Sequence, residues 1–148
     1  MSAQAMCSKL PNTASAHRSR RVLVVDDDHH MRELVAATVR GAGYAVIEAR
    51  DGIEVLDRFV STIWGERPDL FGAIVSDVDM PGPTGHDLLV MLRSWGCDTP
   101  IILLTAFGSV ESRAEATELG AIAYLEKPLN AGKLMRALEE AMVAPAPE

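Results

Sequence analysis

Cysteine is scarce in this chain: Cys7 and Cys97 are the only two among 148 residues, and no CxxC spacing occurs. Two distant cysteines support neither a disulfide framework nor a structural zinc site, which fits a reducing compartment. Long hydrophobic runs are also missing. The longest aliphatic stretches, Val22-Leu23-Val24-Val25 and Ile101-Ile102-Leu103-Leu104, fall far short of the roughly 20 residues of a membrane-spanning helix. Residues 1–21 contain no apolar core of the kind a secretory signal needs. The expected location is therefore the cytoplasm, with no membrane span. Basic charge is the third shortage. Lys and Arg number 14 against 21 Asp and Glu, for a net charge of −7. Lys9, Arg18, Arg20 and Arg21 are the only charged residues in the first 21, which leaves 10 basic and 21 acidic residues, or −11, for the rest. A body of that sign argues against direct nucleic-acid binding, because phosphate contacts need clustered Lys and Arg.

The remaining composition is that of a globular protein, 48% apolar and 24% charged, and the length suits one domain. Residues 1–20 read as a flexible basic leader and 144–148 as an Ala/Pro tail. Between them, apolar runs alternate with amphipathic segments. Strands are expected at Arg21–Asp26, Tyr44–Glu48, Phe71–Asp77, Pro100–Thr105 and Ile122–Leu125. Helices are expected at His29–Gly41, Gly52–Trp64, His86–Trp95, Ser109–Leu119 and Asn130–Val143. Leu34, Val35 and Val39 line the apolar side of the first helix. Val55, Leu56, Phe59, Val60 and Ile63 line that of the second. The segment Met80-Pro81-Gly82-Pro83-Thr84-Gly85 is a loop. The alternation specifies an α/β fold, a doubly wound (βα)₅ parallel sheet with helices on both faces. Sites in such sheets lie at the carboxyl ends of the strands.

Those ends are rich in reactive groups. Asp26, Asp27 and Asp28 follow the first strand, Asp77 and Asp79 the third, Thr105 the fourth, and Lys127-Pro128 the fifth. Clustered carboxylates repel one another unless a cation joins them. Hard oxygen donors suit Mg²⁺, which takes one or two carboxylates and keeps waters and phosphate oxygens as its other ligands. Lys and Thr opposite such a metal can hold phosphoryl oxygens, and a carboxylate can itself be the nucleophile. Taken singly, each residue is ordinary: Asp28 can simply cap the first helix, and a lone lysine is usually solvated. The joint placement carries the inference. His29 and His30 are adjacent and so do not face one metal on a helix, and His86 is expected in solvent. Trp64 and Trp95 are expected to cover the core.

Four blocks, Val24-Val25-Asp26-Asp27-Asp28, Ser76-Asp77-Val78-Asp79-Met80-Pro81-Gly82, Leu104-Thr105-Ala106 and Tyr124-Leu125-Glu126-Lys127-Pro128, resemble the signatures of two-component response-regulator receiver domains, in family order and spacing. The resemblance spans 21–143. It implies a flavodoxin-like sheet with strand order 2-1-3-4-5 and a stand-alone, chemotaxis-regulator-like signalling module. Such a module is not an enzyme beyond catalysing its own phosphorylation and dephosphorylation. By the same resemblance Asp77 is the phosphoacceptor. Asp26, Asp27 and Asp77 hold Mg²⁺, with Mn²⁺ as a substitute, and the backbone carbonyl of Asp79 completes the site. Thr105 is the switch hydroxyl and Lys127 the ammonium that pairs with the phosphoryl group. Tyr124 is the aromatic that turns inward on activation, and Lys127–Pro128 is a cis peptide. The implied donor is a sensor histidine kinase or a histidine phosphotransfer protein. A downstream protein target would be met through the fourth helix, fifth strand and fifth helix. The implied state is a monomer or weak homodimer.

Departures from the family pattern are Asp at 79, Phe at 107 and the stiff Gly82-Pro83-Thr84-Gly85 loop; they bear on phosphate lifetime. Two other classes compete. Asp77-Val78-Asp79 is also the DxD of a haloacid-dehalogenase-type phosphohydrolase, although that family carries it on its first strand. A pseudo-receiver that serves only as a binding scaffold is the other, against which the intact acid set argues. Neither end of the chain is long enough for a helix-turn-helix, so output is expected through a partner or from a longer chain.

Overall fold

A computed structural model describes residues 20–64 and 71–143, with the backbone alone for 61–64. The leader and tail read from the sequence, Cys7, and the side chains of Ile63 and Trp64 lie outside the described residues. Five strands, β1 (Arg21–Val25), β2 (Ala45–Ala49), β3 (Ala73–Asp77), β4 (Ile101–Thr105) and β5 (Ala123–Glu126), alternate with five helices, α1 (His29–Gly41), α2 (Gly52–Trp64), α3 (Gly85–Ser94), α4 (Val110–Glu118) and α5 (Ala131–Val143). The sheet is parallel throughout, in the order β2-β1-β3-β4-β5. This is the flavodoxin-like arrangement expected from the sequence. α1 and α2 have the expected bounds, and the other elements differ from the expected ones by one or two residues at their ends, where pairing and capping rather than hydropathy decide the boundary.

Successive side chains of a strand point to opposite faces, and both faces of this sheet are covered. On one face Leu23, Val25, Ile74, Ile101 and Leu103 pack with Val55, Phe59, Leu88, Leu89 and Leu92 from α2 and α3. On the other, Val22, Val24, Val75, Ile102 and Leu104 pack with Val35 and Val39 of α1 and Leu134 and Leu138 of α5. That two-sided burial is why the strand sequences are continuous apolar runs. Leu34 and Val60, expected on the apolar faces of α1 and α2, are instead exposed. Leu34 stands one residue before the buried Val35 and Val60 one residue after the buried Phe59, and 3.6-residue periodicity leaves each on the flank of its helix stripe.

Each helix start is set by a local acceptor. The Asp28 carboxylate accepts from the N–H groups of His30 and Met31. Thr84 and Asp87 form a reciprocal capping box at α3. Ser109 accepts from the Ser112 N–H at α4, and Asn130 from the Lys133 N–H at α5. Trp95, expected to cover the core, is packed against it half-buried.

Candidate functional site

Parallel strands bring all their carboxyl ends to one edge, so the groups that follow β1, β3, β4 and β5 meet on a single rim. Asp77 is the last residue of β3 and Thr105 the last of β4. Asp26 follows β1 directly. Its N–H donates to the Ala49 carbonyl (3.2 Å). The Lys127 N–H donates to the Thr105 carbonyl (2.7 Å), which ties the end of β5 to the end of β4. The Lys127–Pro128 bond is cis. From this position Lys127 Nζ reaches Asp77 Oδ1 at 3.2 Å and Asp26 Oδ2 at 3.3 Å. Carboxylate oxygens of Asp26, Asp27 and Asp77 all lie within 4.8 Å of one another.

The loop after β3 closes tightly against the acid. The Gly85 N–H donates to the Val78 carbonyl at 3.0 Å. A Cβ at Gly85 would stand 2.7 Å from the Asp77 carbonyl oxygen, so only glycine permits this approach. Gly82, at φ +74°, makes the preceding turn.

Burial and charge act against each other here. Burial pushes the Asp77 carboxyl up to about 6, and the neighbouring Asp26 charge adds to the rise, while Lys127 opposes it. Burial also raises Asp26, against the Asp28 N–H bonded to its carboxylate and the Lys127 charge. For Lys127, burial would lower the ammonium, but Asp26 and Asp77 outweigh it and the net direction is upward. The pocket therefore holds two half-compensated buried acids against one cation.

Not every expected residue sits alike. Asp27 is exposed at the mouth, and Asp28 is the helix cap. Asp79 is exposed, with Oδ2 3.5 Å from the Thr105 hydroxyl that donates toward it. Thr105 Oγ1 also accepts from the Phe107 N–H (3.1 Å). Tyr124 is already turned inward, its hydroxyl donating to Ser112 Oγ at 2.7 Å. His86, expected in solvent, is half-buried: its Nε2 lies 3.2 Å from the Ser112 carbonyl and 3.4 Å from Ser112 Oγ, and its ring meets Tyr124 edge-on. The capping turn of α3 carries it against α4, which the local sequence does not reveal. Phe107 is 87% exposed.

Sequence reasoning missed Arg32, which is buried in α1 and donates to the Asp26 carbonyl. Its spacing was a usable signal, since Val35, Ala36 and Val39 follow at three, four and seven residues and share its face.

The donor set fits a hard divalent cation. Three carboxylates offer oxygen alone, and ligand oxygens around Mg²⁺ at roughly 2.1 Å lie about 3–4 Å apart, within the observed spread. Among the described residues, no helix is long and apolar enough to cross a membrane.

Residues 22–139 match the family model for the response regulator receiver domain. Among curated proteins the chain is 40% identical over 130 residues to response regulator MprA of Mycobacterium bovis, covering 88% of this chain and 54% of that protein. It is 44% identical over 121 residues to the response regulator MprA of Mycobacterium sp. strain KMS, covering 80% of this chain and 50% of that one. The chain thus spans about half the length of the curated relatives it matches. Among solved structures it resembles Vibrio cholerae chemotaxis protein CheY4, with TM-score 0.68 and 34% identity over 84% of this chain and 99% of that one. A response regulator receiver domain protein from Clostridium thermocellum superposes with TM-score 0.73 at 26% identity, over 82% and 92% of the two chains.

Proposed function

This chain belongs to the response regulator receiver domain family of two-component signalling, and from that premise we propose that Asp77 is its phosphoacceptor. One observation carries the assignment: the Lys127 ammonium bridges Asp77 and Asp26 at 3.2 and 3.3 Å. It stands where it can pair with a phosphoryl group on Asp77. The donor is a phosphohistidine on a sensor kinase or a phosphotransfer protein. An Asp77 carboxylate oxygen forms the new bond to phosphorus as the phosphorus–nitrogen bond of the donor breaks. The nucleophile is the ionised carboxylate, and a value of about 6 leaves it ionised at neutral pH. The product is later lost when a water oxygen attacks phosphorus and the Asp77 carboxylate leaves.

Asp26, Asp27, Asp77 and the backbone carbonyl of Asp79 would hold Mg²⁺, or Mn²⁺ in its place. The metal, when bound, neutralises charge on the transferring phosphoryl oxygens. Thr105 donates to one of those oxygens and exchanges its present Asp79 contact for it, which is how the signal leaves the pocket toward α4 and Tyr124. A cleft of about 480 Å³ beside the rim, lined by Tyr124, Arg113 and Lys133 among others, lies on the α4–β5–α5 side. It supports that face as the surface read by a downstream protein. We place the protein in the cytoplasm as a monomer or weak homodimer. The phosphohydrolase and pseudo-receiver alternatives find no support. The DxD begins at the end of β3 rather than on the first strand, and Asp26, Asp27, Asp77 and Lys127 lie together.

Asp77→Asn is nearly isosteric but is not a nucleophile. Incubated with a small acyl phosphate and Mg²⁺, the wild type should gain one phosphoryl mass and Asp77→Asn none. An undiminished mass increase in the variant would remove the assignment.

A further inference from the structure

Five polar or charged side chains are buried among the described residues: Asp26, Asp77, Thr105, Ser76 and Arg32. The first three belong to the rim and Ser76 adjoins it. Arg32 stands apart, on the first turn of α1, and the chemistry above gives it no task. Its guanidinium is engaged in three directions. Nη1 donates to the Asp26 carbonyl at 2.9 Å in a buried contact. Nε donates to Glu48 Oε1 of β2 at 3.2 Å. Nη2 lies 3.0 Å from His29 Nδ1. Glu48 is in turn paired with Arg40 at 3.6 Å.

Asp26 is the point at which the chain leaves the sheet. The β1 ladder ends at Val25, paired with Ala49 and Ser76. Every polar atom of Asp26 is nonetheless held. Its N–H donates to Ala49, Oδ1 accepts from the Asp28 N–H (2.9 Å), Oδ2 accepts from Lys127, and the carbonyl accepts from Arg32. The Arg32 N–H closes the turn by donating to the Asp28 carbonyl (2.9 Å). Asp27 lies between these clamped neighbours, and among the described residues no side-chain hydrogen bond or ion pair steers its carboxylate, so the backbone on either side sets its direction. A planar guanidinium can donate along two fixed directions at once, to the turn and to β2, which an ammonium on a flexible stem cannot.

We propose that Arg32 is a positioning residue for the acidic pocket. Braced by Glu48, it holds the Asp26–Asp27 turn in the conformation that converges the three carboxylates. The inference rests on the reading of that pocket as a divalent-cation site. Partners one layer behind metal ligands are typically worth about 10–100-fold in affinity. Arg32→Met should therefore weaken Mg²⁺ binding by about tenfold, Arg32→Lys by less, and Glu48→Gln least.

The test uses the full chain in these four forms. Mg²⁺ affinity is measured by calorimetry, and amide exchange is followed at Asp27 and Asp28. Labelling by a small acyl phosphate is measured across a Mg²⁺ series. The expected pattern is weaker binding in the order given, faster exchange confined to the turn, and a labelling defect at limiting Mg²⁺ that excess Mg²⁺ largely repairs. A purely structural role would lower labelling at all Mg²⁺ concentrations. If Arg32→Met does not fold, Arg32→Lys and Glu48→Gln decide. Wild-type affinity in every folded variant overturns the inference alone. Absence of Mg²⁺ binding by the wild type overturns the cation-site reading and the inference with it.

Discussion

Helices α1 and α4 both start at the rim, yet they are attached by opposite means. α1 buries Arg32, Val35, Ala36 and Val39 against the sheet. α4 buries only Ala116. Leu119, its C-terminal cap, packs part-buried on the core, and the other contacts are polar: Tyr124 OH to Ser112, His86 to Ser112, and Arg113 Nη1 to the Tyr124 carbonyl at 3.1 Å. The Arg113 guanidinium also lies over the Tyr124 ring. At its start Val110 is 82% exposed. Apolar burial stabilises by about 25 cal/mol per Å² and is lost only by uncovering the face. A hydrogen bond nets only about 0.5–1.5 kcal/mol and can be exchanged for another partner. The difference teaches that the pocket is built on an element that resists movement, while the element beyond Thr105 can move at little cost. A phosphoryl group shifts such an equilibrium only by its differential interaction with the two states.

The strongest way to sharpen the contrast is to remove the charge stored on the rigid side. Asp77 binds its proton more tightly when folded, at about 6, than at the unfolded value of 3.8. Between those values the folded state carries more protons, so this group's contribution to stability falls as pH rises through that window and is fully unfavourable above it. The penalty is of order 3 kcal/mol at neutral pH. Asp77→Asn should be more stable than wild type at pH 7.5 by up to that amount in urea unfolding, and the gain should shrink toward zero near pH 4. A pH-independent difference would contradict the buried-acid account.

Next in size is the contrast itself. Amides of Val110–Glu118 should exchange at least about tenfold faster than those of Val35–Val39, because local opening of α4 uncovers little apolar surface. Phosphorylation should then change exchange between Phe107 and Ala141. Thr105→Ala should still be labelled but lose that change. Equal protection of the two helices would break the comparison.

His86→Ala tests the polar attachment alone. It should speed exchange around Ser112 about threefold, corresponding to roughly 0.5–1 kcal/mol, and leave α1 unaltered. The smallest effect concerns phosphate lifetime. Phe107 offers no side-chain donor or acceptor to an attacking water, and Asp79 adds charge beside Thr105. Orientation of the attacking group governs such steps. Phe107→Glu should hasten loss of phosphate from Asp77, and Asp79→Asn should change it measurably, each followed as decay after donor removal in excess Mg²⁺. Wild-type decay in both variants would show that neither side chain controls the water.

The strands, the helices and the acids that end the strands were legible from the chain because they depend on local pattern, whereas the order of the strands came only from the family resemblance. Short apolar runs ended by Asp26 and Asp77, each flanked by a helical pattern, read as strands buried on both faces with their charge at the edge. Lys127 was legible only through the spacing of its block, since nothing local distinguishes it from a surface lysine. Arg32 and His86 were missed for a related reason. A charged or imidazole side chain on a helix is solvated by default, and what overrides that default is a partner brought from elsewhere in the chain.

By itself, then, the sequence determined the alternation, the two-sided core and the residue types that a phosphoryl site requires, because hydrophobic period and capping residues act over a few positions. Only the tertiary structure decided which groups share one pocket and at what protonation. Lys127 and Asp26 are 101 residues apart in the chain and 3.3 Å apart in space. Desolvation, which sets Asp77 near 6, exists only once the strands have closed around it. The same closure decided that α1 would be braced through Arg32 and that α4 would rest on Ala116 and a few exchangeable hydrogen bonds.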